Sequence, residues 1–84
     1  MYDDLFFTEE ERVTIDLHDM ELLEATYYLE KLFETLPENI KEVVVIHGYH
    51  KGQVLLNMVR KDFKNPRIKK KVIPMNKGIT LLYV

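Results

Sequence analysis

Four β-branched residues in succession, Val43-Val44-Val45-Ile46, leave this chain little choice of architecture. A strand without polar alternation is what burial on both faces selects, so the run is expected at the centre of a sheet. It stops at His47, and a loop bearing Gly48 and Gly52 precedes a helical pattern that starts near Gln53. A buried strand that ends in a polar, glycine-bearing turn and leads into a helix is where α/β proteins tend to bind ligands. A second strand-like run, Val13-Thr14-Ile15-Asp16-Leu17-His18, also ends in a histidine.

In that second run Val13, Ile15 and Leu17 point one way and Thr14, Asp16 and His18 the other, so Asp16 and His18 share a face. Asp19 is placed to cap the next helix, with Glu21 in its first turn. Leu22, Ala25, Leu29, Leu32, Phe33 and Leu36 then recur at helical spacing and stop before Pro37. A second helix over about residues 53–64 lays Leu55, Val59 and Phe63 inward, and Asn65-Pro66 ends it. Residues 67–75 read as a strand with Lys69 and Lys71 on the side opposite Lys70 and Val72. Asn76-Lys77-Gly78 is a tight turn, and residues 79–84 form the hairpin partner.

The order is βαβαββ, an α/β chain of the α+β two-layer kind with a mixed four-stranded sheet. Strand order decides whether both helices share a face, and the sequence leaves that open. Residues 1–12 mix acids with Tyr2, Leu5, Phe6 and Phe7 and read as an N-terminal arm on a domain spanning 13–84.

A chain of 84 residues is one domain, able to bury roughly 60 % of its unfolded surface. It has no cysteine, which removes disulfides and thiolate chemistry. An acidic start and the lack of a long apolar run point away from a secretory signal or membrane span, so a cytoplasmic monomer is expected. The net charge of −2 hides an asymmetry: residues 1–42 hold three basic and thirteen acidic side chains, and residues 43–84 nine basic and one acidic. Such a division either offers a basic face to phosphates or neutralises itself in the fold.

With the first two strands parallel, Asp16, His18 and His47 are expected to meet in one open pocket at the strands' C-terminal edge. Two imidazoles and a carboxylate can move protons on and off a reacting group. The loop from Gly48 to Gly52 opens onto a helix N-terminus, where free N–H groups hold an anion, and Lys51 adds charge. His50 should point away from the pocket and is counted with Gly48, Lys51 and Gly52 among the residues expected to contact a phosphate. The set suits a phosphodiester better than an ester or peptide. Lys64, Arg67, Lys69, Lys71 and Lys77 outline a nucleic-acid track. Asp16, His18, His47 and His50 are ligand types that suit zinc or manganese, but without a metal-site spacing no cofactor is expected.

Ile15-Asp16-Leu17-His18 resembles the L-D-L-H motif of Smr domains (small MutS-related domains), and His47-Gly48-Tyr49-His50-Lys51-Gly52 resembles their H-G-x-G-x-G motif. The spacing and element order agree over about residues 12–84. The resemblance implies a fold similar to the C-terminal domain of translation initiation factor three. It also implies nucleic-acid binding, with DNA nicking or RNA cleavage as in the members that cut. Asp16, His18, His47, Gly48 and Gly52 fall on motif positions. Asp19 stands where the family usually has glycine, and His50 replaces the middle glycine of the second motif. These departures favour, as the alternative to an endonuclease, a non-catalytic module docking on structured RNA, a ribosome or a protein.

Overall fold

The computed structural model describes residues 6–49 and 53–84, with the backbone alone for residues 6–9. The elements run β1 (Phe6–Glu9), β2 (Arg12–Asp16), α1 (Leu22–Glu34), β3 (Glu42–Ile46), α2 (Val54–Asn57) with a π-helical continuation (Met58–Asp62), β4 (Lys70–Val72) and β5 (Ile79–Tyr83). The expected mixed sheet and two helical segments are present. A further strand, β1, comes from the N-terminal arm and pairs antiparallel with β2. The sheet order is β1-β2-β3-β5-β4, with β2 and β3 parallel and β5 antiparallel to both its neighbours.

That order settles where the helices lie. Val13, Ile15, Val43, Val45 and Leu82 share one buried cluster with Ala25, Leu29, Leu32 and Phe33 of α1 and with Met58, Val59 and Phe63. Both helical segments therefore cover one face of the sheet. Phe33 and Phe63 join them directly, with ring centroids 5.3 Å apart.

The other face is open, which corrects the expectation of a strand buried on both sides. Val44 and Ile46 alternate with fully buried Val43 and Val45 and are themselves half-buried. Val44 lies between Thr14 of β2 and Leu81 of β5 in register. Branched neighbours on a pleated surface screen one another sideways, so β-branched residues are retained there without a covering layer.

Two other expectations shift. The third strand shrinks from residues 67–75 to Lys70–Val72. The Asn65 side chain accepts the Arg67 N–H at 2.9 Å and holds a turn before it, and Pro74 offers no N–H after it. The second helix widens at Met58, where the Phe63 N–H reaches back to the Met58 carbonyl at 2.7 Å. The inward residues Leu55, Val59 and Phe63 recur every four positions, a longer repeat than the ~3.6 of an α-helix.

Candidate functional site

Three loops meet at the C-terminal edge of β2 and β3: the turn after Leu17, the segment after Ile46, and the turn Asn76–Gly78 that opens β5. Asp16 and His18 follow strand alternation onto the open side, as expected. One Asp16 carboxylate oxygen accepts the His18 backbone N–H at 3.1 Å and also the His18 ring Nδ1–H. The ring is thereby oriented, and its Nε2 lies 3.7 Å from the Asp19 carboxylate. The Asp16 hydrogen bond and charge hold the His18 pKa above its ordinary value, with Asp19 adding a smaller push. His18 remains exposed, so water screens these interactions.

Asp19 is not the helix cap. Glu21 occupies that position without a side-chain cap bond, and Asp19 takes a left-handed conformation at φ 68°. This is backbone space that glycine enters freely and that aspartate tolerates better than most residues.

His47 departs from expectation. The register pairs Asp16 with Ile46, and the Leu17 N–H continues the ladder to the Ile46 carbonyl at 2.7 Å. His47 therefore follows Val43 and Val45 onto the helix-covered face, whereas His18 lies level with Gly48. The ring is 3 % exposed. Its Nδ1 sits 2.8 Å from the Gly48 carbonyl, which only accepts, so Nδ1 carries the proton. Nε2 then accepts the Thr80 hydroxyl at 2.9 Å, and the Thr80 oxygen accepts the Arg60 Nε–H at 2.7 Å. Burial pushes the His47 pKa below its ordinary value, against the Gly48 bond and with help from the Arg60 charge. The two imidazoles thus do not face one another across an open pocket. Parity is the reason: histidines that follow paired residues of parallel strands by two and by one point to opposite faces.

Gly48 joins the two. At φ 71° it sits so close to His18 that an added Cβ would lie 3.3 Å from the His18 Cβ. On its other side Gly78 packs against it, with the His47 and Gly48 N–H groups both donating to the Gly78 carbonyl at 2.9 and 3.0 Å. His18, Gly48 and Gly78 form a tight row across the strand ends, over a cavity of about 670 Å³ that His18 and His47 both border. Asp16 does not line it.

A family model described as the Smr domain matches residues 15–78, most of the chain. The chain belongs to the Smr domain family. Searches of curated proteins and of solved structures return no match. Of the Smr motif residues named above, His50, Lys51 and Gly52 lie outside the described residues, and with them the expected anion site and the direction of the His50 ring.

The cations of this Smr domain divide by location. The Lys71 ammonium is spent on the carbonyls of Val59, Arg60 and Phe63, at 2.9, 3.3 and 2.6 Å. These are last-turn carbonyls that the π-helical segment leaves unpaired, and a cation there also meets the negative end of the helix. Burial lowers the Lys71 pKa, with Lys64 adding to the effect. Arg67 donates to the Leu36 and Pro37 carbonyls at 2.5 and 2.9 Å and closes the end of α1. Both are tied inside the fold rather than presented along a track. Lys64 and Lys69 are exposed, and Lys69 joins the β5 end at Tyr83, at the sheet edge opposite the cavity. Lys77 is exposed between Asn76 and Gly78, which both line the cavity.

Two site residues escaped the sequence reading. Thr80 carried a signal, a polar residue at the core-facing parity of β5 with Leu82, which demands a partner. Arg60 carried none. Its contacts with Thr80 and with the Lys77 and Ile79 carbonyls cross about twenty residues and depend on the π-helical turn.

Proposed function

We propose that this Smr domain binds nucleic acid and cleaves a phosphodiester bond at the mouth of the cavity, with His18 as the proton-transfer residue. The observation that carries this reading is the Asp16–His18 pair: an exposed imidazole oriented by a carboxylate through Nδ1, which leaves Nε2, 3.7 Å from the Asp19 carboxylate, as the nitrogen for proton transfer. RNA is the favoured substrate. His18 Nε2 takes the proton of a 2′-hydroxyl, the 2′-oxygen attacks the adjacent phosphorus, and the P–O5′ bond breaks. The leaving oxygen takes a proton from water, and a 2′,3′-cyclic phosphate remains. This route needs no metal. Asp16 orients His18, and His47 acts as a positioning residue that holds Gly48 against it. Lys77 is the described cation best placed to meet a phosphate there.

The test uses purified protein with single-stranded RNA and with supercoiled plasmid, each with EDTA and with manganese. RNA cleavage that survives EDTA and falls about 10²–10⁴-fold in His18→Ala is the expected outcome. Both substrates intact under every condition removes the enzyme reading. A second reading, nucleic-acid binding without cleavage, is favoured by the engagement of both His47 ring nitrogens, which leaves His18 as the one available imidazole at the mouth among the described residues. It is distinguished by salt-dependent RNA binding that His18→Ala leaves unchanged.

A further inference from the structure

Resting on the nucleic-acid reading, we propose that the cavity beside His18 seats one unstacked base of a single strand, and that it selects guanine. The walls argue for a base rather than a phosphate. Leu22, Tyr49 and Val54 border the cavity and are 43, 49 and 56 % exposed, an apolar surface gathered at one mouth. Apolar surface exposed in this way marks a binding site, and about 670 Å³ falls within the ~300–1,000 Å³ of small-molecule pockets. Asp19 and Glu21 stand in the lining as well, which makes the interior hostile to a phosphate and leaves the backbone outside, by His18 and Lys77.

The polar groups decide which base. Glu21 lines the cavity and its side chain makes no capping bond to α1, so its carboxylate is turned to neither of the usual N-cap partners. An ionised carboxylate only accepts, and it is matched by two adjacent donors. Guanine alone among the four RNA bases has such a pair, N1–H beside the 2-amino group. Adenine and cytosine set a ring acceptor next to their amino group, and uracil flanks its N3–H with two carbonyls. Asn76 supplies the complement. Its Oδ1 accepts the Gly78 N–H at 2.9 Å, which leaves the side-chain amide free to donate to guanine O6.

The experiment measures binding of the full chain to U-rich oligoribonucleotides that carry one central G, A, C, U or abasic site. The G-containing strand should bind about tenfold tighter than the others, the discrimination expected of one bidentate pair. Glu21→Gln should remove that preference, so that the G strand binds no tighter than the A, C and U strands. Leu22→Ala should weaken the G strand and leave the abasic strand unaffected. Equal affinity for all five strands overturns the base pocket while leaving the nucleic-acid reading intact. Failure of all five to bind overturns both. A G preference that survives Glu21→Gln, in protein whose amide spectrum is otherwise unchanged, overturns the assignment of guanine to that carboxylate.

Discussion

Gly48 takes a φ of 71° and would place a Cβ 3.3 Å from that of His18, so an alanine there meets both backbone strain and crowding. Gly48→Ala is expected to lower unfolding stability by about 1–2 kcal/mol, read from the urea midpoint. The histidines on either side titrate in opposite directions. His18, raised by Asp16, contributes stability that is complete below about pH 6.5 and is lost as pH rises through its folded pKa. His47, lowered by burial, contributes stability that is present above about pH 6.5 and is lost as pH falls through its folded pKa. Ring-proton NMR with the three histidines assigned should therefore find His18 titrating above and His47 below the ordinary value. Asp16→Asn should bring the upper one down and carry the acid limb of any cleavage activity with it. Coincident titrations of His18 and His47 would sink the assignment of an exposed and a buried ring.

Among the elements, the π-helical continuation of α2 couples most of the unexpected contacts. Its widened turn leaves carbonyls that Lys71 satisfies, and it brings Arg60 to Thr80 and the Lys77–Ile79 backbone. Lys71→Met keeps the apolar stem and removes the ammonium. The expected loss is about 1.5–3 kcal/mol, the range for hydrogen bonds to a charged group, and denaturant unfolding measures it. A variant as stable as the parent would show that water replaces the ammonium without cost. Arg60→Ala should act on the site rather than on global stability. The amides of Gly48 and Ile79 should exchange faster with solvent, because the turn Asn76–Gly78 loses its tie to the helical layer.

For the whole molecule, strand order turns the charge asymmetry of the chain into an asymmetry of space. The acidic half builds β1, β2, α1 and β3's first residue, and the basic half builds α2, β4 and β5 on the other side. The cavity lies at the seam. On the proposed reading, a nucleic acid entering there meets Lys77 first among the described cations, and an extended strand continues toward Lys69 only along the length of the sheet. Removing a phosphate-contacting lysine lowers the salt slope of binding by about one. Lys77→Ala should do so in anisotropy titrations across salt, and Lys71→Met should leave the slope unchanged because its ammonium is already committed to carbonyls. A reduced slope in Lys71→Met would mean that this side chain leaves the helix end to meet phosphate.

Local signals were enough for much of this. Val43–Ile46 marked the central strand, the Leu22–Leu36 stripe marked α1, and the two histidine-bearing motifs pointed to the Smr family, because periodicity and short spacings are properties of neighbouring residues. Asp16 and His18 were legible as a pair for the same reason, being two positions apart at the end of one strand-like run. Which face His47 occupies was not, since it depends on the register between two strands thirty residues apart. Register is set by the hydrogen-bond ladder and by which residues the helices cover. Only the folded chain, by pairing Asp16 with Ile46, sent His18 to solvent and His47 to Thr80 and Arg60. Lys71 and Arg67 show the same limit. A lysine on a strand reads as solvated until the unpaired carbonyls of a distant helix end are brought against it.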